Sequence, residues 1–386
     1  MIRNLLGKCA AGLVTALAVM LAAGGVSAAE TVKIGSFLAV TGGASFLGDP
    51  EKKALEMYVA TVNANGGVDG RQIELVLYDS GGDAKKAAGF VKRLINDDKV
   101  DIILGGSTTG ETMAVIPLVE KAGVPFISFG GASVIVEPVK KWVFKTPHSD
   151  RLAVRRIYQD IKAQGLSRVA LFAGSGGFDK SCTANAKELA GEYGMEIVAN
   201  ETHGKGDTDM TAQLTKIKNA AGVQVLLYCG FGADAVVEAR NYKQLGMTLP
   251  HYQSHGSASM QFVKGTEGAS EGMRLPAAAL LVARQMPDSH PQKKVGMDFE
   301  AAYTAKYNEP ISTFGGHAYD GLMIAIGAIK RAGGTDKEKV RTEIENTKNY
   351  IGADGIYTMS PEDHLGLDTN SFVMVEIRNG DWKLLD

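Results

Sequence analysis

This sequence of 386 residues has few cysteines and tryptophans and no excess of positive charge. It contains 3 cysteines and 2 tryptophans, and its 41 basic residues stand against 43 acidic ones. So few cysteines at this length exclude a small scaffold held by disulfides, and the lack of surplus positive charge argues against a nucleic-acid partner. The remaining composition, 45% hydrophobic and 22% charged, is that of a globular protein with two or three domains.

Long apolar runs are also absent, except near the N-terminus. Residues 9–26 carry no charge, follow Arg3 and Lys8, and lead into the small residues Ser27, Ala28 and Ala29. This order of a basic, an apolar and a small-residue segment is typical of a cleaved signal peptide, here residues 1–28. A membrane anchor is the alternative, but the run is shorter than a typical span of about 20 residues. We therefore expect a periplasmic protein whose mature chain is mildly acidic.

Cys182 and Cys229 are the two cysteines of the expected mature chain. They could pair in an oxidising compartment, but the sequence alone does not decide it. We expect no metal site, since no Cys-x-x-Cys pair is present. We expect no nucleotide cofactor either, because Gly43–Gly48 has phosphate-loop spacing but is followed by Asp49 where that motif requires lysine. These observations favour a binding protein over an enzyme.

Short apolar runs alternate with helical patterns along the mature chain. The alternation begins with a predicted strand at Val32–Val40, a loop at Thr41–Pro50 and a helix at Glu51–Asn65, and it restarts after Pro147. This pattern predicts βαβ units in two successive α/β domains, each with a parallel sheet. The last third has three predicted helices and then a β-rich end around Asn379-Gly380, and we expect it to complete the two domains rather than to form a third.

Candidate binding residues follow the predicted strands of the first domain. Since ligands of open α/β sheets bind at the carboxyl ends of strands, these positions are the natural candidates. They are Ser107, Thr108, Thr109, Gly130, Gly131 and Ala132. Glycines let a ligand approach the backbone, and hydroxyls and amides at a helix start donate hydrogen bonds, so the group suits a carboxylate. The alternative is that Ser107 or Thr109 only caps its own helix.

Aromatic residues and a histidine occupy the corresponding places in the second domain. Phe178, Phe231 and His255 follow three strand ends, and Phe46 lies in the first loop of the other domain. Together they predict an apolar pocket with a polar tip, although a ring directly after a strand is more often part of the packing.

Four stretches resemble a known family in combination: IGSFLAVTGG, NANGGVDGRQIELVLYD, DIILGGSTTGETMAVIPLVEKAGVPFIS and GDTDMTAQLTKIKNAAGVQVLLYCGFGADAVVEARNYKQLGM. Across essentially the whole mature chain the sequence resembles the branched-chain amino-acid-binding type of periplasmic solute-binding protein, the soluble receptor of an ABC importer. The resemblance implies the type I periplasmic binding protein fold, in which two doubly wound, Rossmann-like lobes close on a ligand around a hinge. It implies an N-terminal lobe of residues 29–149 plus about 279–357, and a C-terminal lobe of 150–278 plus about 358–386. It also implies a membrane permease as partner and a monomeric receptor.

The resemblance further implies roles for individual residues. Ser107 matches a serine that holds the ligand carboxylate, and Gly130 matches a position that offers its backbone to the same group. Ala132 stands where amino-acid binders have a threonine. Phe178 and Phe231 stand in place of tyrosines.

His255 stands where the family pattern has the acid that pairs with the α-ammonium of the ligand. Because a buried ammonium without an anionic partner is costly, this departure predicts a carboxylate ligand without an α-amino group, such as a benzoate- or phenylpropanoid-type acid. The first alternative is an α-amino acid, with Asp179 as the acid. The second is a sensing domain for a separate membrane receptor.

Overall fold

The computed structural model describes residues 31–385, so the predicted signal peptide lies outside the described residues. Within this range the strands form two large sheets and one short ribbon. The first sheet contains β1 Val32–Leu38, β2 Ile73–Asp79, β3 Ile102–Gly105, β4 Phe126–Ser128 and β5 Val143–Lys145. The second begins with β6 Arg168–Ala173, β7 Glu196–Thr202, β8 Val225–Cys229, β9 His251–Gln253 and β10 Arg274–Ala278. The ribbon pairs β11 Tyr350–Ile351 with β12 Ile356–Tyr357, and β13 Phe372–Arg378 and β14 Asp381–Leu384 complete the second sheet.

Parallel pairing dominates both sheets. The first has the strand order β2-β1-β3-β4-β5, and every neighbouring pair is parallel. The second has the order β14-β13-β10-β9-β8-β6-β7, in which β13 pairs antiparallel with β10, placing Glu376 opposite Arg274. The expected parallel sheets are therefore present, with an antiparallel extension at one edge of the second.

Eleven helices of the described chain cover or flank these sheets. They are α1 Ser45–Ala64, α2 Ala84–Asn96, α3 Thr109–Ala122, α4 Asp150–Ala163, α5 Gly177–Tyr193, α6 Thr211–Asn219, α7 Gly232–Gln244, α8 Met260–Gly265, α9 Lys293–Tyr307, α10 Thr313–Ala332 and α11 Lys337–Glu345. The three helices predicted for the last third correspond to α9, α10 and α11.

Helices α9, α10 and α11 pack on the first sheet, although strands β6 to β10 of the second sheet come between them and the first sheet in the sequence. Phe299, Leu322 and Ile344 of these helices are buried in one cluster with Ile34 and Ile103 of the first sheet. Burial of such large side chains contributes about 1.5–3 kcal/mol each, so this core ties the segments firmly together. The chain thus passes repeatedly between the two sheets; the lobe boundaries given above remain a prediction.

The N-terminal loop is shorter than the sequence predicts. Helix α1 begins at Ser45 and includes Pro50, so the predicted loop Thr41–Pro50 is wrong over its second half. Gly48 allows the helix start to lie directly on β1, because a Cβ there would come within 2.3 Å of the Ala39 carbonyl oxygen.

The β-rich C-terminal end forms as predicted. Strands β13 and β14 pair as a hairpin, with Arg378 opposite Asp381. Asn379 and Gly380 have φ angles of 54° and 71°, the left-handed values that a two-residue hairpin turn requires.

Candidate ligand site

Two adjacent chambers lie between the loops that follow the strands of the first sheet and the loops that follow β6 to β9. We call them the inner chamber, of about 30 Å³, and the outer chamber, of about 270 Å³. They share the lining residues Thr108, Thr109, Phe178 and Phe231. Both sheets therefore contribute to the walls, as expected for strand ends that face each other.

Seven of the ten predicted binding residues line these chambers: Ser107, Thr108, Thr109, Gly131, Phe178, Phe231 and His255. The other three, Phe46, Gly130 and Ala132, lie outside the lining. The Phe46 ring centroid is 6.2 Å from that of Phe231, behind the wall. The Gly130 amide already donates to Ser128 Oγ at 3.0 Å, and Ala132 is buried in the core. Direct ligand contacts by these three residues remain a prediction.

Ser107 is placed by a turn of two glycines and held by a buried acid. Gly105 and Gly106, with φ of 151° and 72°, end β3 where a side chain would clash, since a Cβ on Gly105 would lie 2.5 Å from the Phe37 carbonyl oxygen. The Ser107 hydroxyl donates to Glu51 Oε2 and accepts from the Ala39 amide at 3.0 Å. Burial raises the pKa of Glu51 well above its usual range. Ser107 therefore has less free hydrogen-bonding capacity than the family pattern implies.

The hydroxyl groups of Thr108 and Thr109, which follow Ser107, have different roles. Thr108 caps α3 through a reciprocal pair with Glu111, whose amide donates to Thr108 Oγ1 at 3.3 Å while Glu111 Oε2 accepts from the Thr108 hydroxyl at 2.7 Å. Such a capping box satisfies amides at the helix start and fixes the loop. Thr109 Oγ1 is buried and has no hydrogen-bond partner within the described residues. The capping alternative, which named Ser107 or Thr109, is therefore wrong, because the capping residue is Thr108, and Thr109 offers the free hydroxyl.

An aromatic corner forms the opposite wall. Phe178 contacts Phe231 edge-on, with ring centroids 5.6 Å apart, and contacts His255 in the same manner at 5.3 Å. Edge-to-face pairs of this kind stabilise a fixed ring arrangement. The corner presents apolar edges to both chambers and one imidazole to the inner chamber.

His317 is a lining residue of the inner chamber that sequence reasoning missed. It lies on α10, and its Nδ1 pairs with Asp354 Oδ2. Burial, followed by the nearby charge of Lys145, lowers the pKa of His317 to about 3. No acid is among the inner-chamber lining residues of the described chain, so the predicted lack of a carboxylate beside His255 holds for this chamber.

An acid does line the outer chamber. Asp179 follows Phe178 on α5, and its Oδ2 accepts from the Gly176 amide at 2.8 Å. Its Oδ1 is buried and has no hydrogen-bond partner within residues 31–385. Burial raises the pKa of Asp179 to about 6, although the Gly176 amide acts in the opposite direction. The sequence offered Asp179 only as an alternative, on the ground of its nearness to Phe178.

A disulfide lies behind the aromatic corner. Cys182 of α5 is bonded to Cys229 at the end of β8, with their Cα atoms 5.7 Å apart. Because Phe178 lies on the same helix and Phe231 lies two residues after Cys229, the bond ties together the two elements that carry these rings. The structure thereby resolves a pairing that the sequence left open.

Two enzyme-like sequence patterns were overlooked, and neither forms a site. Gly268–Gly272 matches the Gly-x-Ser-x-Gly pattern, but Ser270 Oγ is buried 2.7 Å from Thr266 Oγ1 in a turn away from both chambers. His251 and His255 have a spacing seen in zinc sites, but within residues 31–385 no group of three histidine, cysteine or acidic side chains could hold a metal ion. No helix in this range has the length and apolar character needed to cross a membrane.

Comparison with known families gives a match along nearly the whole described chain. A family model described as periplasmic binding protein matches residues 31–381. A curated relative, the leucine-, isoleucine-, valine-, threonine- and alanine-binding protein of Pseudomonas aeruginosa, is 27% identical over 323 residues, which cover 81% of this chain and 82% of the relative.

Solved structures give the same result for the fold. An extracellular ligand-binding receptor from Rhodopseudomonas palustris HaA2 superimposes with a TM-score of 0.86 at 26% identity, covering 92% of this chain and all of that one. The branched-chain amino acid transporter substrate binding protein LivJ from Streptococcus pneumoniae, in complex with isoleucine, superimposes with a TM-score of 0.81 at 26% identity, covering 92% of this chain and 99% of that one. The predicted two-lobed α/β architecture is thereby confirmed.

Proposed function

Because the chain belongs to the periplasmic binding protein family, we propose that it is an extracytoplasmic receptor that delivers an α-amino acid with a branched aliphatic side chain to the permease of an ABC importer. The family consists of solute-binding proteins rather than enzymes, which agrees with the sequence-based expectation. The names of the Pseudomonas and Streptococcus proteins favour amino acids over the aromatic acid that the sequence predicted as first choice.

The observation that supports this ligand best is the division of polar groups between the chambers. The inner chamber, of about 30 Å³, is the smaller of the two and has no acid among its lining residues within the described chain, so it suits the carboxylate. There the carboxylate lies within reach of the free Thr109 hydroxyl. The outer chamber, of about 270 Å³, takes the side chain against Phe231, and the α-ammonium binds the free oxygen of Asp179.

Closure follows from contacts on both sheets. Thr109 and Asp179 belong to opposite walls, so a ligand that binds both stabilises the closed arrangement by its differential affinity. The walls already approach each other closely, since a Cβ on Gly177 would lie 3.4 Å from Thr109 Cγ2. A permease then recognises the closed, monomeric receptor from its outer surface. Delivery takes place in the periplasm, after signal-peptide cleavage near Ala28.

A second candidate is an aromatic carboxylate without an amino group. It is favoured by the imidazole of His255, which lines the inner chamber, and by the edge-on rings of Phe178 and Phe231. A flat ring in the outer chamber could contact both rings while its carboxylate enters the inner chamber.

Thermal unfolding with a ligand panel distinguishes the candidates. We expect isoleucine and leucine to stabilise the mature protein by about 2.7 kcal/mol at a concentration of 100 times the dissociation constant, and benzoate to have no such effect. D-isoleucine is the matched control, since it has the same groups in the wrong arrangement. Stabilisation by benzoate or cinnamate alone would replace the proposal by the second candidate.

The variant Asp179→Asn tests the ammonium contact. We expect at least 30-fold weaker isoleucine binding, about 2 kcal/mol, because a buried ammonium loses its anionic partner. Burial raises the pKa of Asp179 to about 6 and a bound ammonium lowers it again, so the Asp179 contribution to affinity is fully present above pH 6 and is lost as the pH falls through the bound-state value.

Asp234→Asn is the matched control, because Asp234 also lines the outer chamber. Its affinity for isoleucine, measured by calorimetry, should stay within threefold of the wild type. If only Asp234→Asn loses affinity, the ammonium binds Asp234 instead of Asp179. Equal affinities in the wild type and both variants would contradict the proposed pose.

A further inference from the structure

A cluster of basic side chains lies behind and beside the inner chamber. Lys145, at the end of β5, and His148 are both fully buried, and His255 and His317 line the chamber itself. Lysine is rarely buried without a paired acid, so the position of Lys145 needs an explanation.

The ammonium of Lys145 contacts the wall of the chamber through a carbonyl group. Its Nζ donates to the Gly131 carbonyl oxygen at 3.2 Å and to the His148 carbonyl oxygen at 3.4 Å. Gly131 is itself a lining residue, and a Cβ on it would lie 3.1 Å from His255 Nε2. One glycine therefore separates the lysine from the chamber and its imidazole.

Each of the two acids that act on Lys145 through space has one oxygen engaged elsewhere. Asp150 Oδ1 accepts from the Ser133 amide and from Asn185 Nδ2, both at 2.9 Å, while its Oδ2 is buried with no hydrogen-bond partner within residues 31–385. Glu137 Oε2 pairs with Arg151 Nε at 3.0 Å. Positive charge on the lysine is thus only partly compensated within the protein.

Other titratable groups around Lys145 come from every neighbouring element. Asp150 is the first residue of α4 and His148 lies two residues before it, Glu137 lies in the loop after β4, and His255 lies after β9. His317 of α10 is paired with Asp354, and His364, whose carbonyl oxygen accepts from the Lys145 amide at 3.1 Å, is paired with Glu345. Most of these groups are basic or already paired.

We propose that Lys145 provides, through the Gly131 wall, the countercharge for the carboxylate of the bound solute, and that carboxylate binding is accompanied by proton uptake on this basic cluster. The proposal rests on the proposed function in one respect, since it requires a ligand with a carboxylate in the inner chamber. It does not require the α-ammonium, so it applies to both candidate ligand classes.

The protonation behaviour of the cluster is consistent with this role. Burial lowers the pKa of Lys145 to about 7, with Asp150 acting in the opposite direction. Burial, and next the charge of Lys145, lower the pKa of His255 well below its usual range. A carboxylate beside these groups raises their pKa values, so binding takes up a proton near neutral pH. Affinity is then full below pH 7 and falls as the pH rises through the bound-state pKa, the opposite of the Asp179 effect.

Lys145→Met tests the proposal, with Lys140→Met as the matched control. Lys140 also donates to backbone carbonyl groups, those of Val134, Ile135 and Pro138, but it does so outside the chambers. The probes are isoleucine and benzoate. Whichever of them binds the wild type should bind Lys145→Met about tenfold more weakly at pH 6.5. Lys140→Met should remain within twofold.

Calorimetry in phosphate and in Tris buffer at pH 7.5 measures the proton uptake. We expect proton uptake when ligand binds to the wild type and to Lys140→Met, and none when it binds to Lys145→Met. The affinity of the wild type should fall between pH 7 and 9, whereas that of Lys145→Met should not. Wild-type affinity in Lys145→Met, or equal heats in both buffers for all proteins, would overturn the proposal.

A measurement without ligand separates failure of this proposal from failure of the proposed function. An unfolded lysine titrates near its ordinary pKa of 10.5, well above the folded-state value of about 7. Wild-type stability should therefore rise from pH 7 to pH 9 relative to Lys145→Met. If neither probe binds, the proposed ligand classes fail while this rise still supports a titrating Lys145; absence of the rise overturns the role of Lys145.

Discussion

Loss of the Cys182–Cys229 disulfide is expected to lower the free energy of unfolding by about 4 kcal/mol. The two cysteines are 47 residues apart in the sequence, so the bond removes much of the freedom of the unfolded chain. Urea unfolding of the mature protein, with and without a reducing agent, measures the difference.

The double variant Cys182→Ala/Cys229→Ala provides the control for this prediction. It should unfold at the same urea concentration with and without reductant, close to that of the reduced wild type. A difference below 1 kcal/mol between oxidised and reduced wild type would show that the bond contributes little. Binding serves as a second readout, because the bond joins the helix of Phe178 to the strand that precedes Phe231.

The substitution Asp320→Ala is expected to cost about 3–5 kcal/mol of stability. Asp320 of α10 accepts from the amides of Ala353 at 2.7 Å and Asp354 at 2.9 Å, and from the Tyr357 hydroxyl at 3.0 Å. All of these groups are buried, and each donor left without an acceptor costs about 1–3 kcal/mol. Chemical denaturation measures the loss.

Asp320→Asn is the conservative comparison, because its amide oxygen can still accept from one or two of the three donors. Its loss should be clearly smaller than that of Asp320→Ala. Ligand affinity should fall in both variants, since Asp354 pairs with His317 in the inner chamber. A loss below 1 kcal/mol for Asp320→Ala would contradict the assignment of this stability to the three hydrogen bonds.

Much of the fold could be predicted from local sequence patterns. Alternating apolar runs and helical patterns predicted the α/β architecture, and Asn379-Gly380 predicted the final hairpin. Strand β10 was missed because its sequence, RLPAA, contains a proline and little β-branched character. The start of α1 was missed because it depends on the contact of Gly48 with Ala39, which no local pattern reveals.

Site residues could be predicted from the sequence only where the rule applies that ligands bind at the carboxyl ends of strands. Thr109, Phe178 and His255 were found by that rule. It could not show that Ser107 already bonds to Glu51, 56 residues away in the sequence, because the partner is brought there only by the fold. Lys145 was missed for the same reason, since a lysine at the end of a short strand ordinarily suggests an exposed side chain.

The antiparallel edge of the second sheet has a consequence for how the chain folds. Strand β10 pairs with β13, so Arg274 lies opposite Glu376, about a hundred residues further along the chain. Until β13 is present, one edge of β10 has no hydrogen-bonding strand beside it. Three helices that pack on the first sheet lie between them in the sequence. Contacts of such wide separation slow folding. The second sheet therefore cannot be completed until residues 372–384 are available to pair with β10.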